Sequence, residues 1–251
     1  MSKTSINSTF SLLNLYKESG VDELIGNVAN DRTKLPSKPN KKKELPDSNM
    51  KKNHPSITDS DIQNISTLDE LKQKMSEFKG CELYKSATNM VFSDGNPESK
   101  IMLIGEAPGH DEDLQAKPFV GRSGKLLDKM LEAINLSRDK VYIANIVPWR
   151  PPSNRKPTED EIEICLPFIK KHIELIKPKA LMLLGSTATY ALFKNKEGIS
   201  KIRGKWKDLE INKLIIPTMP TFHPAFLLRQ PGQKKYVWTD LKNLRDKINQ
   251  K

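Results

Sequence analysis

The sequence is poor in features that would place it in several familiar protein classes. Only two cysteines, Cys81 and Cys165, occur in 251 residues, which argues against a disulfide scaffold and favours a reducing compartment. No apolar run reaches the ~18 residues of a membrane span. The N-terminus also lacks the apolar core and small-residue cleavage site of a secretory signal. We therefore expect a cytoplasmic protein without membrane contact.

Motifs of several large enzyme classes are also missing. The four histidines are scattered without metal-ligand spacing. Gly124-Lys125 is followed by Leu126 rather than by serine or threonine, so the chain has no P-loop. No Gly-x-Ser-x-Gly elbow is present. Kinase, NTPase and α/β-hydrolase functions are therefore excluded, and no metal site is predicted.

Positive charge is present in excess. Lysine and arginine number 42 against 31 acids, which gives a formal net charge of +11 and favours a polyanionic partner such as nucleic acid. Residues 31–65 are rich in lysine and proline and cannot bury enough apolar surface to fold. They are either a loose DNA contact or a solvated spacer. We predict a disordered or weakly structured basic tail over residues 1–65 and a folded catalytic domain over residues 66–251.

Short apolar runs alternate with amphipathic segments through the folded part. Apolar runs closed by turn residues predict buried strands, and apolar residues at helical spacing predict the helices between them. This alternation predicts an α/β fold with a parallel four-stranded sheet flanked by helices, in three layers. The predicted strands are residues 101–105, 141–147, 179–185 and 213–221, and the main predicted helices are residues 123–136, 159–176, 186–193 and 235–249.

Polar residues follow three of the predicted strands. Gly105 closes the first strand, Asn145 lies at the end of the second, and His223 follows the fourth. Because the carboxyl ends of parallel strands meet at one edge of a sheet, we expect these loops to surround one cleft. The alternatives are an ordinary surface loop after Gly105 and a purely structural role for His223.

Seven short motifs occur in order within residues 78–249. They are VFSDGNPESK, GEAPGHDED, KPFVG, NIVPWRPPSNRKP, LMLLG, IRGKW and FHPAFLLR. Together they resemble the uracil-DNA glycosylase superfamily, most closely its family four, the iron–sulfur branch of bacteria and archaea. The resemblance implies an enzyme that hydrolyses the N-glycosidic bond of uracil in DNA, leaves an abasic site and initiates base-excision repair. The base must leave the stack to enter the pocket of such an enzyme.

The resemblance also implies roles in binding the base. Phe119 matches the ring that stacks on uracil, although a buried core phenylalanine is the alternative. Asn145 matches the amide that donates to O4 and accepts from N3–H, which would reject cytosine. Glu112 matches the residue that crowds C5 and rejects the methyl group of thymine. The backbone around the base is matched by Gly105, Ala107 and Gly109.

Two further residues match the catalytic positions of the family. His223 matches the histidine that faces O2 of the departing base, where negative charge develops. Glu106 matches the loop that positions water and sugar, and a carboxylate there can stabilise an oxocarbenium-like transition state. The family lacks the aspartate base of the best-known branch of the superfamily. The attacking water is therefore expected to be activated by Glu106 or held in place by the backbone alone.

Contacts to the DNA backbone and stack are predicted from neighbouring residues. Leu227 and Leu228 resemble the wedge that fills the gap left by the flipped base, or they are a helix-start pair. Four basic residues are candidate phosphate contacts or solvated charges, namely Arg150, Arg155, Lys156 and Arg229.

The cluster-binding positions depart from the family pattern. Four cysteines hold a [4Fe–4S] cluster in this branch, but here Tyr84 and Trp149 occupy two of those places and only Cys81 and Cys165 remain. We predict that no cluster is bound and that the two aromatic rings fill the vacated volume.

Two other functions remain open at this point. The chain could be a non-catalytic DNA-binding relative that acts as a recruitment module, or a glycosylase for another deaminated base such as hypoxanthine or xanthine. We expect a monomer whose tail binds DNA or a repair or replication protein.

Overall fold

A computed structural model describes residues 62–249 of the chain. The basic tail predicted over residues 1–65 lies almost wholly outside this range, and its boundary with the folded domain stays a prediction. Within the described range, no helix is long and apolar enough to cross a membrane.

The centre of the fold is a six-stranded mixed sheet with the order β1-β3-β2-β4-β6-β5. The four central strands are parallel, as predicted, and they agree with the predicted ranges to within two residues. The strands are β1 (Asp94–Gly95), β2 (Ile101–Gly105), β3 (Tyr142–Asn145), β4 (Ala180–Leu184), β5 (Lys207–Ile211) and β6 (Leu214–Thr221).

The two edge strands correct the prediction of a purely parallel four-stranded sheet. β1 pairs antiparallel with β3 and is only two residues long, so it has no apolar run to predict it. β5 pairs antiparallel with β6 through a turn in which Asn212 has a φ of 53°. Because β5 is an edge strand, its first, second and fourth residues are exposed and polar, and only Leu209 and Ile211 are buried.

Helices connect and cover the strands. They are α1 (Leu68–Glu77), α2 (His110–Gln115), α3 (Arg122–Glu132), α4 (Glu159–Ile176), α5 (Ser186–Phe193), α6 (Ile199–Ile202), α7 (Pro224–Arg229) and α8 (Lys234–Asn249). A capping box starts α4, because Thr158 Oγ1 accepts from the amide of Glu161 at 3.2 Å and Glu161 accepts from the amide of Thr158 at 2.8 Å. α2 was not predicted, because its sequence HDEDLQ has no apolar stripe.

Two hydrophobic clusters cover the two faces of the sheet. Met102 and Ile104 of β2 point into one cluster together with residues of α1 and α4. Ile101 and Leu103 point into the other together with residues of α3 and α8. The predicted three-layer α/β/α architecture is therefore confirmed, and burial on both faces explains why the central strands are continuously apolar.

The register of the sheet sets the position of the loops that follow the strands. Gly105 at the end of β2 pairs with Asn145 at the end of β3, and Leu184 at the end of β4 pairs with Thr221 of β6. His223 follows β6 after one residue and caps α7. The strand ends predicted to meet therefore lie at one edge.

Candidate active site

A cavity of about 180 Å³ opens at this edge of the sheet. Seven of the eight residues predicted for catalysis and base binding line it, and Gly105 lies directly behind two of them, Phe119 and Asn145. The seven are Glu106, Ala107, Gly109, Glu112, Phe119, Asn145 and His223. The structure thus brings together side chains that are up to 117 residues apart in sequence, from Glu106 to His223.

The amide of Asn145 carries an unpaired oxygen. The side chain is only 7% exposed, and Oδ1 is buried without a hydrogen-bond partner within the described residues. An unpaired buried polar atom costs about 1–3 kcal/mol, so native proteins rarely retain one without a use. Asn145 also lines the cavity, so its amide is a hydrogen-bonding group with unused capacity at this site.

Phe119 forms a wall of the cavity next to Asn145. Phe119 is 4% exposed and belongs to the hydrophobic cluster that also contains Ile101 and Leu103. It therefore packs in the core and also lines the cavity. The ring centroid lies 5.5 Å from that of His223. The backbone of Phe119 has a φ of 56°, which is uncommon for a residue other than glycine.

Gly105 provides the space in which the ring and the amide meet. A Cβ atom at this position would lie 2.4 Å from Oδ1 of Asn145 and 2.6 Å from Cζ of Phe119. Both distances are far below ordinary contact, so any larger residue would displace one of these side chains.

His223 is held in one tautomer. Its Nδ1 accepts a hydrogen bond from the amide of Ala225 at 3.1 Å, which leaves the proton on Nε2. Burial and the positive charge of Arg229 lower the pKa of His223 to about 4. At neutral pH the ring is therefore an uncharged imidazole with an Nε2–H donor.

Two carboxylates of the first loop have different partners. Glu106 accepts a hydrogen bond from the hydroxyl of Thr187 in α5. Glu112 accepts from the amides of Val120 at 3.0 Å, Gly121 at 2.9 Å and Gly109 at 3.1 Å. Glu112 therefore holds the loop in shape, a role that the sequence did not indicate.

The hydrogen bond from Thr187 to Glu106 is a site contact that the sequence did not reveal. It joins residues 81 positions apart. The one available signal was the place of Thr187 in the first turn of the helix that follows the LMLLG motif.

Comparison with known proteins agrees with this geometry. The model of the uracil DNA glycosylase superfamily matches residues 92–245. The chain belongs to this superfamily. A type-4 uracil-DNA glycosylase from Sulfurisphaera tokodaii is 40% identical over 190 residues, which cover 72% of this chain and 85% of the relative. One from Saccharolobus solfataricus is 40% identical over 192 residues, covering 74% and 89%. One from Archaeoglobus fulgidus is 36% identical over 184 residues, covering 72% and 92%.

The two predicted wedge residues of this uracil-DNA glycosylase superfamily member differ in exposure. Leu227 is completely buried in the second hydrophobic cluster, because it lies on the face of α7 that packs against the domain. Leu228 is 38% exposed next to the cavity. Leu227 is therefore a core residue, and Leu228 is the member of the predicted pair with an exposed side chain.

The four predicted phosphate contacts differ in their surroundings. Arg150 donates to Oδ1 of Asn154 at 2.7 Å, and Arg155 pairs with both carboxylate oxygens of Glu161 at 2.6 and 2.8 Å. Lys156 and Arg229 are exposed at the surface. Of these four residues, Arg155 is the one that lines the cavity.

The cluster-binding positions hold two thiols. Cys81 and Cys165 are free and completely buried. A hydrogen bond from Cys165 lowers the pKa of Cys81, while the same hydrogen bond and burial raise the pKa of Cys165. Throughout residues 62–249, no group of three or more histidine, cysteine or acidic side chains is placed to hold a metal ion.

Aromatic side chains stand at the other two cluster-binding positions. Trp149 is 4% exposed, and its ring centroid lies 6.4 Å from that of Phe78. Tyr84 packs against the same hydrophobic cluster, with the ammonium group of Lys79 4.5 Å from its ring centroid. A [4Fe–4S] cluster needs four thiolates, so the residues present do not fit it.

Filling the space at Gly105 tests the geometry of the site. Gly105→Ala should displace Asn145 or Phe119, destabilise the fold by about 1–3 kcal/mol and lower the rate of base release by about 100-fold or more. Single-turnover kinetics and thermal unfolding measure the two effects.

Gly198→Ala is the matched control, because a Cβ atom there has no neighbour within 4 Å. It should change stability by no more than about 0.5 kcal/mol and leave the rate unchanged. Activity of Gly105→Ala equal to that of the control would contradict the described contact.

Proposed function

We propose that this protein is a uracil-DNA glycosylase that hydrolyses the N-glycosidic bond of uracil in DNA, leaves an abasic site and initiates base-excision repair. The observation that carries the proposal is that Asn145, whose Oδ1 is unpaired, lines one cavity together with Phe119 and His223. Membership of the superfamily, and relatives named type-4 uracil-DNA glycosylases, support the same reaction.

Base recognition follows from the donors and acceptors of the amide. Oδ1 of Asn145 accepts from N3–H of uracil, and the amide nitrogen donates to O4. Cytosine presents an acceptor at N3 and a donor at its exocyclic amine, so both contacts would be lost and buried polar groups would remain unpaired. Such a mismatch discriminates more strongly than the shape of the pocket does.

The walls of the cavity select further features of the base. Stacking on Phe119 holds the flipped ring and is worth about 1–3 kcal/mol in comparable sites. Glu112 is fixed by three backbone amides, so its carboxylate cannot easily move aside. We propose that it crowds C5 and thereby excludes the methyl group of thymine.

His223 and Glu106 carry the proposed chemistry. As the glycosidic bond breaks, negative charge develops on O2 of the base, and the Nε2–H donor of neutral His223 stabilises it. Glu106, held by Thr187, orients the attacking water and stabilises the positive charge that develops on the sugar. The backbone from Gly105 to Gly109 shapes the space for both groups.

DNA binding is proposed to use exposed groups around the cavity. Leu228 fills the gap in the stack, and Lys156 and Arg229 contact phosphates. Arg150 and Arg155 lie on the same surface, but their guanidinium groups already donate hydrogen bonds to Asn154 and Glu161, respectively. We further propose a monomer that works in the cytosol, with the basic tail binding DNA or a repair or replication protein.

A panel of substrates tests the proposed function. Single- and double-stranded oligonucleotides carrying uracil, hypoxanthine, xanthine or a thymine mismatch are incubated with the protein and assayed for alkali-labile sites. Uracil should be released and thymine should not. Release of hypoxanthine or xanthine instead would indicate another base specificity, and no release from any substrate would indicate a non-catalytic binding module.

Variants of two histidines assign the reaction to the cavity. His223→Ala should lower the rate by about 100- to 1,000-fold, as expected for loss of a donor at a developing negative charge, with the Kd for DNA unchanged. His110→Ala is the matched control, since this histidine is exposed outside the cavity. Equal rates for the two variants would remove His223 from the mechanism.

We also propose that the protein works without an iron–sulfur cluster. Protein purified anaerobically should show no visible absorbance and only traces of iron. The matched control is the double substitution Tyr84→Cys with Trp149→Cys, which restores four thiols. When both proteins are treated anaerobically with iron and sulfide, the double variant should take up iron and the unaltered protein should not. Stoichiometric iron and cluster absorbance in the unaltered protein would contradict the proposal.

A further inference from the structure

The left-handed backbone of Phe119 needs an explanation. A residue with a Cβ atom in this conformation is less stable by about 1–2 kcal/mol than in its usual one. Phe119 nevertheless adopts a φ of 56° where its ring forms a wall of the cavity. Specific contacts must therefore hold this peptide in place.

Arg138 binds two successive backbone carbonyl groups, those of Pro118 and Phe119. One terminal nitrogen of its guanidinium donates to the carbonyl oxygen of Phe119, and the other donates to that of Pro118 at 3.1 Å. Hydrogen bonds from a charged donor are roughly twice as strong as those between neutral groups. The planar fork thus fixes the direction of two successive carbonyls.

Two carboxylates orient the guanidinium. Asp94 of β1 accepts from a terminal nitrogen of Arg138 at 2.7 Å, and Asp128 of α3 accepts from Nε at 2.8 Å. The side chain of Arg138 is 24% exposed, so these bonds are partly shielded from water. Asp94 lies in the VFSDGNPESK motif, which the proposed chemistry does not use.

The same peptide is restrained from two further directions. The carbonyl oxygen of Phe119 sits so close to Gly124 that a Cβ atom there would lie 1.8 Å from it. Glu112 binds the amides of Val120 and Gly121, which follow Phe119 directly. Among the described residues, Arg138 is the one side chain that donates a charged hydrogen bond to the carbonyl oxygen of Phe119.

We propose that Arg138 is a positioning residue for base recognition, which holds Phe119 in its left-handed conformation so that the ring is in place before uracil arrives. The inference rests on the proposed function, because stacking on Phe119 is part of it. Without the guanidinium, the peptide relaxes towards negative φ and the ring leaves the wall of the cavity.

Substitution of Arg138 tests the proposal in single-turnover kinetics on a uracil oligonucleotide. Arg138→Gln should lower the rate by about 10- to 100-fold, as expected for loss of hydrogen bonds from a charged donor. Arg138→Lys keeps the charge beside Asp94 and Asp128 but lacks the fork, so it should not restore the rate. Full activity of either variant would overturn the inference.

A double-mutant cycle with Phe119 separates positioning from a general structural role. If Arg138 acts through the ring, Arg138→Gln should cost less than about threefold when Phe119→Ala is already present. An equal loss in both backgrounds would show that Arg138 acts independently of Phe119 and would overturn the proposal. If Arg138→Gln does not fold, Asp128→Asn replaces it as the milder substitution in the same cycle.

Amide hydrogen exchange provides a test that does not need activity. In Arg138→Gln, protection of the amides of Val120 and Gly121 should fall, while that of the amides in β4 should not change. Unchanged exchange at Val120 and Gly121 would overturn the proposal. Failure of the unaltered protein to release uracil would refute the proposed function instead, and the exchange data would still judge the role of Arg138.

Discussion

The close approach of Gly105, Asn145 and Phe119 is the contact on which the site depends. Gly105 and Asn145 are register partners on the two neighbouring parallel strands β2 and β3, and the absent side chain of Gly105 leaves room for the ring of Phe119. This packing keeps the amide oxygen of Asn145 buried but unpaired. The sheet therefore carries the energetic cost of an unsatisfied acceptor, and in the proposed function the N3–H donor of uracil relieves it.

Hydrogen bonds fix each of the groups around this contact before a substrate binds. Glu112 secures the loop that carries Phe119, and the amide of Ala225 selects the tautomer of His223. Arg203, from the IRGKW motif, and Thr221, at the end of β6, both donate to Asp240 and so anchor the strand that leads to His223. A site whose dipoles are already oriented does not reorganise as charge develops, which is the main source of electrostatic catalysis.

The sequence predicted those parts of the fold and the site that depend on local pattern. The four central strands are continuous apolar runs. Because parallel strands place the loops that follow them at one edge, the sequence also predicted that Phe119, Asn145 and His223 lie close together. The contact of Thr187 with Glu106 could not be predicted, because it arises from tertiary packing. The edge strand β5 forms a local hairpin with β6, but it alternates exposed polar and buried apolar residues and so has no continuous apolar run of the kind that predicted the central strands. The burial of Leu227 depends on which face of α7 packs against the domain, and a six-residue helix gives too little periodicity to decide it.

The most direct test of this account is a crystal structure of the His223→Ala variant bound to a uracil oligonucleotide. The flipped base should stack on Phe119, with N3 about 2.7–3.2 Å from Oδ1 of Asn145, a normal hydrogen-bond distance. A base bound elsewhere on the protein, with Oδ1 of Asn145 still unpaired, would contradict it.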